Sequence, residues 1–180
     1  MSLKAGGTAR IVLIAASVAM IMPSSLAAQD NNAATTVILV RHAEKQSEGD
    51  DPSLTAAGRE RAQALVHVLG ELDIVAVYST PYARTRETAQ PLAAALGLAV
   101  TERPAQDYGS DMAEWIRANH TGDVVVAVSH SNTVPALIEA LGARPVPTIE
   151  DHEYDDLYVV TIDADGNATL LAMRYGRETP

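Results

Sequence analysis

Between residues 36 and 141 the chain switches repeatedly between short unbroken apolar runs and longer stretches where apolar residues recur every three or four positions. The short runs, at 36–41, 73–78, 98–102 and 124–128, read as strands, and the wholly apolar ones as strands buried on both faces. A helix opens at Thr55, a hydroxyl N-cap, with Ala62, Leu65, Val66 and Leu69 on its inner face, and Gly70 stops it. Ser79-Thr80-Pro81 turns the second strand into a second helix that ends at Gly97, and Pro91 within it predicts a kink or a brief break. A third helix carries Met112, Trp115 and Ile116 as a core-facing stripe to about Asn119, and a fourth covers 132–141. The strands at 157–162 and 168–174 form a hairpin around Asp165-Gly166-Asn167. Four strand-then-helix units followed by a hairpin predict an α/β fold: a three-layer α/β/α sandwich with a mostly parallel central sheet and a C-terminal hairpin. The 124–128 strand is expected near the middle of that sheet.

The N-terminus has a different character. Lys4 and Arg10 precede an apolar core over 11–22, and Pro23-Ser24-Ser25-Leu26-Ala27-Ala28 gives a small-residue exit. That is the layout of a secretory signal peptide over 1–28, cleaved after Ala27 or Ala28. The apolar core is a dozen residues long, well short of the roughly 20 that a membrane span needs. The expectation is therefore an exported protein, periplasmic or extracellular, without a stable membrane anchor. Residues 29–36 form a polar lead-in and 37–180 one catalytic domain, large enough for its own core.

The formal net charge is −10 and there is no cysteine. An acidic surface disfavours nucleic acid as a partner, and the missing thiols exclude disulfides, zinc-thiolate sites and cysteine nucleophiles. In so acidic a chain, arginines at a strand end must form a locally built positive site.

Candidate chemistry begins at Val37-Ile38-Leu39-Val40-Arg41-His42, where an apolar strand ends in a cation and a potential nucleophile. Open α/β sheets use the crevice beyond the carboxyl ends of their strands. Taken alone, the pair is equally well read as an exposed arginine and a loop histidine. His130 follows the 124–128 strand in the same way, with a helix behind it whose first amides could face an anion. Alone, it would be a structural hydrogen-bonding residue. Arg84 lies at the start of the helix after the second strand and shares a face with Thr88, whereas Arg86 points elsewhere. Two histidines and two arginines at one sheet edge suit a phosphoryl group, because guanidinium forks match its oxygens and their charge favours an unprotonated imidazole.

Four stretches in this order resemble the histidine phosphatase (phosphoglycerate mutase-like) superfamily, in its compact branch of small bacterial phosphohistidine phosphatases. They are Leu39-Val40-Arg41-His42-Ala43-Glu44, Leu54-Thr55-Ala56-Ala57-Gly58 with Ala62, Ser79 to Ala89, and Val128-Ser129-His130-Ser131-Asn132. The resemblance implies that His42 is a transiently phosphorylated nucleophile. It also implies that Arg41, Arg84 and His130 complete the phosphate pocket, and that no metal or cofactor takes part. Two departures stand out: Ala43 where the family usually has glycine, and Ser129 where many members have glycine. Family phosphomonoesterases commonly take a proton donor from the segment after the third strand. Asp107 is the choice here, since Glu102 falls in the strand, and Glu153 is its rival.

These residues predict an exported, metal-independent phosphatase acting on a small phosphorylated substrate or a phosphoprotein. The alternatives are a non-catalytic anion-binding module of the same fold and, behind it, a phosphoglycerate mutase, for whose inserted segments the chain has no room. A metallophosphatase lacks any Asp/His cluster with ligand spacing near a strand end.

Overall fold

The computed structural model describes residues 33–179; the signal-peptide assignment at 1–28 falls outside them. Six strands form one sheet in the order β3-β2-β4-β1-β5-β6. In chain order these are β1 (Thr35–Arg41), β2 (Ile74–Ser79), β3 (Val100–Glu102), β4 (Val124–Ser129), β5 (Asp156–Ile162) and β6 (Ala168–Arg174). The helices are α1 (Ala56–Leu69), α2 (Ala83–Ala95), α3 (Ser110–Asn119) and α4 (Thr133–Ala140), with a 3₁₀ turn at Ala105–Asp107. Strands β3, β2, β4 and β1 are parallel, and β5 and β6 close the sheet as an antiparallel hairpin. The expected sandwich is thus present, with β4 between β2 and β1.

Side chains in a strand alternate between its two faces, so an unbroken apolar strand needs cover on both. Val37, Leu39, Val125 and Ala127 pack with Met112 and Ile116 of α3 and with Val134, Leu137 and Ile138 of α4. Ile38, Val40, Val126 and Val128 pack with Leu65 and Leu69 of α1 and with Ala89, Leu92 and Ala93 of α2. This two-sided burial fixes the register: a one-residue slip would exchange the two sets.

Local details both match and depart from the pattern. Thr55 caps α1 by accepting a hydrogen bond from the Gly58 N–H at 3.0 Å. α2 continues through Pro91 without a break in its helical run. Pro91 and Glu87 both line an open groove between α1 and α2, so the lost hydrogen bond falls at the helix surface. β3 is shorter than its apolar run, three residues on the sheet edge. Trp115 is not core: it is 40% exposed, lies over the Arg103 guanidinium at 4.6 Å and donates to the Tyr78 hydroxyl at 3.1 Å. His120 is held between Tyr78 Oη at 2.6 Å and Asp123 Oδ2 at 3.0 Å.

Gly58 presses the first turn of α1 against the loop after β1. A methyl group there would fall on the Glu44 carbonyl oxygen, well inside contact distance. Gly58→Ala is expected to cost about 1–3 kcal/mol of stability in denaturant unfolding. An unchanged midpoint would show that this contact is loose.

Candidate active site

The register of β1 against β4 places Arg41 opposite Ser129, and that of β2 against β4 places Ser79 opposite Val128. The three strands therefore release Arg41-His42, Ser79-Thr80 and Ser129-His130 at one edge of the sheet. The His42 N–H continues the ladder onto the Ser129 carbonyl at 2.9 Å. As a result the two imidazoles stand with ring centroids 5.5 Å apart, nearly edge to face. Both are almost fully buried.

The His42 ring is fixed by its own neighbour. Nδ1 lies 2.8 Å from the Ala43 carbonyl oxygen, which can only accept. The neutral ring therefore carries its proton on Nδ1 and its lone pair on Nε2. Ala43 is itself pinned, its N–H donating to Thr88 Oγ1 at 2.9 Å, while that hydroxyl donates to the Arg84 carbonyl at 2.7 Å. The Ala43 methyl fills a small apolar cluster with Leu54 and Ala62. No described non-glycine residue has positive φ, so nothing in the backbone requires glycine at position 43. His130 is oriented by Thr80 Oγ1 at 3.0 Å from Nε2, and its N–H meets Thr133 Oγ1 at 3.0 Å.

Arg41 is 4% exposed. Its Nη1 donates to the Glu150 and Glu153 carbonyls at 2.6 and 2.9 Å, and Tyr154 covers its plane at 4.4 Å. Tyr82 covers Arg84 at the same distance, 4.4 Å. The Nε atoms of Arg41 and Arg84 are both buried without a partner in the protein. A buried guanidinium N–H left unpaired is costly, so the pair marks a place for an anion. Two of the amides expected to help are taken up: the Thr133 and Val134 N–H groups turn back onto the His130 carbonyl at 3.2 and 3.0 Å.

Burial depresses the imidazole pKa values. His42 falls from an ordinary 6.5 to about 3, mainly by loss of water, with Arg41, His130 and Arg84 adding repulsion against the Ala43 hydrogen bond. His130 falls to about 4, again chiefly by burial and then by the two arginines. An ordinary imidazole is already about three-quarters neutral at pH 7, so the depression adds little there and matters below pH 6.

The two candidate acids are not alike in placement. Asp107 faces Arg103 at 3.9 Å, and its neighbour Gln106 lines the cavity beside Arg84 and His130. The Glu153 carboxylate accepts from the Glu150 N–H at 2.8 Å, within its own turn. A carboxylate that the pattern did not single out comes closer to Arg84. Asp51, in the loop between β1 and α1, lies 3.9 Å from Arg84 Nη1 and caps α2 by accepting from the Ala83 N–H at 2.9 Å. Arg86 pairs with Glu102 at 3.6 Å, away from the pocket. Among the described residues no three His, Asp or Glu side chains converge as a metal-ligand set.

Arg61 is likewise a residue that the sequence pattern does not single out. It is 3% exposed, holds both Glu44 carboxylate oxygens at 3.0–3.1 Å through Nε, and donates to the Tyr175 and Arg177 carbonyls at 2.9 and 2.8 Å. It thereby ties the loop after His42 to the C-terminal segment. Its signal was an arginine within the inner face marked by Leu65 and Leu69.

Residues 37–107 match the sequence profile of the histidine phosphatase superfamily (branch 1). No curated protein matches the chain. Among solved structures, the protein histidine phosphatase SixA, complexed with tungstate, is similar at 20% identity over 77% of this chain and 96% of that one, with a TM-score of 0.61. A SixA-type protein from Nakamurella multipartitia is 25% identical over 80% and 98%, TM-score 0.55. A mycobacterial glucosyl-3-phosphoglycerate phosphatase is 16% identical over 81% and 100%, TM-score 0.57.

Both imidazoles hold fewer protons folded than unfolded. As pH falls from about 6.5 toward 4, the unfolded chain gains protons first and stability falls with it. In an NMR titration of the anion-free protein, His42 and His130 are expected to stay neutral down to pH 5. Midpoints near 6.5 for these two would contradict the buried pocket.

Proposed function

We propose, for a chain that belongs to the histidine phosphatase superfamily and is by class a phosphoric monoester hydrolase, a two-step hydrolysis through a phosphohistidine on His42. The observation that carries this is the His42 tautomer: Nδ1–H is spent on Ala43, leaving the Nε2 lone pair for phosphorus. As the Nε2–P bond forms, the bond from phosphorus to the leaving atom breaks, and the leaving group departs with its electron pair. Arg41 and Arg84 take the phosphoryl oxygens through their unpaired Nε–H groups, and His130 lies beside them. Charge that builds on those oxygens meets donors already in place. Water then attacks phosphorus, the N–P bond breaks, and Nε2 recovers its lone pair as phosphate leaves with the surplus proton.

The substrate is a small phosphomonoester, an envelope sugar phosphate or a phosphorylated protein side chain. Asp107 and Glu153 are both held by other groups, which favours substrates whose leaving group needs no strong acid, a phosphohistidine among them. The runner-up remains an anion-binding module that keeps the pocket without turnover.

Phosphate release from an aryl phosphate, in excess chelator, separates the two. His42→Ala is expected to lower the rate at least about a thousandfold, and wild type should form an acid-labile, alkali-stable phosphoenzyme. A wild-type rate equal to that of the variant would favour the binding module.

The reading also places the enzyme outside the cytoplasm, because residues 1–28 carry the basic, apolar and small-residue regions of a cleaved leader. N-terminal sequencing of protein from intact cells should begin at Ala28 or Gln29. An uncleaved start would contradict export through this segment.

A further inference from the structure

Beyond the phosphate-binding face lies a cavity of about 370 Å³ whose lining includes Tyr82, Arg84, Gln106, Tyr108, His130 and Asn132. We propose that this cavity holds the leaving group, that it takes a flat, uncharged aryl or heteroaryl ring bearing a hydrogen-bonding group, and that Tyr82 selects it. The proposal rests on His42 as the nucleophile and names the substrate class of that site.

Position supports it first. The cavity shares Arg84 and His130 with the phosphate site, but His42 is not in its lining. In-line displacement puts the leaving group on the side of phosphorus away from the attacking nitrogen. A cavity lined by Arg84 and His130 but not by His42 is consistent with that demand.

The ring of Tyr82 supplies the selection. It is 40% exposed, yet held, with the Arg84 guanidinium on its plane at 4.4 Å and His130 edge to face at 5.3 Å. An exposed apolar ring held this firmly offers a stacking surface to a second ring.

The polar lining is uncharged apart from Arg84 and suits a neutral partner. Gln106 and Asn132 bring carboxamides, each able to donate and accept, and Asn132 makes no side-chain capping bond to α4. Tyr108 is 2% exposed and its hydroxyl is buried without a partner. Burial pushes its ionisation upward, so it remains a neutral hydroxyl. The surrounding carboxylates are all engaged: Asp107 with Arg103, Glu102 with Arg86, and Asp51 with the Ala83 N–H and, at 3.9 Å, with Arg84 Nη1. An alkoxide leaving from such a place would find no free carboxylic acid, only the weakly acidic Tyr108 hydroxyl, whereas a delocalised aryl oxyanion or ring nitrogen needs no strong donor. Shape and chemistry select the same class.

Phosphonates test this without turnover, since their C–P bond is not hydrolysed. Dissociation constants of methyl-, cyclohexyl- and phenylphosphonate are measured by NMR titration for wild type, Tyr82→Ala and Tyr82→Phe. Phenylphosphonate is expected to bind roughly three- to tenfold tighter than the other two. Tyr82→Ala, which also removes the ring that holds Arg84, should bring the phenyl-to-cyclohexyl and phenyl-to-methyl affinity ratios close to one whatever it costs all three ligands, and Tyr82→Phe should keep the wild-type ratios. Equal wild-type affinity for phenyl and cyclohexyl, or an equal loss for every ligand in Tyr82→Ala, would overturn the selection. No binding of any phosphonate would remove the phosphate site and this proposal together. Selective phenyl binding without a phosphoenzyme would sink the nucleophile and leave the cavity's assignment standing.

Discussion

Parallel pairing of β1 with β4, with Arg41 opposite Ser129, is the constraint on which the site depends. Both strands are buried on both faces, so their register is held by two hydrophobic layers rather than by the polar residues beyond them. Once the register is set, Arg41-His42 and His130 leave the sheet at one level, and β2 delivers Thr80 and Arg84 beside them. The 5.5 Å between imidazole centroids is therefore a product of core packing. A slip of one residue would move Arg41 to the opposite face of the sheet and dismantle the pocket along with the core.

Around this frame, the charges are arranged against the protein's own acidic field. The chain carries a net −10, yet the two pocket arginines are held by neutral groups: backbone carbonyls for Arg41 and a tyrosine ring on each. The nearest carboxylates, Asp151 at 3.8 Å from Arg41 and Asp51 at 3.9 Å from Arg84, sit at the exposed mouth. Pairing there is screened by water and weak, so an oxyanion meets cations that are not neutralised in advance. Burial does the same for the histidines, keeping them unprotonated beside two positive charges.

Much of this was legible in the sequence because it follows from periodicity. Wholly apolar strands ending in charged or titratable residues marked β1 and β4, and with them the sheet edge where Arg41, His42 and His130 collect. Thr55 and Gly70 marked the ends of α1. The rest depends on contacts between distant segments that no local pattern encodes. Tyr154 reaches Arg41 from 113 positions away in the sequence. Asp51 caps a helix 32 residues later. Trp115 fits an apolar helical stripe, but Arg103 and Tyr78 hold its indole near the surface. The amides at the start of α4 looked free in sequence and are taken up by the turn that Thr133 makes with His130. Arg61 could have been found, as a cation on an apolar helix face, although its partner Glu44 lies 17 residues earlier.

A crystal of the protein soaked with vanadate gives the most direct measurement. The account predicts vanadium bonded to Nε2 at position 42, its equatorial oxygens met by both guanidinium groups and its far apical oxygen directed into the cavity beside Tyr82. Vanadate bound elsewhere, or bonded to the imidazole at position 130 instead, would contradict it.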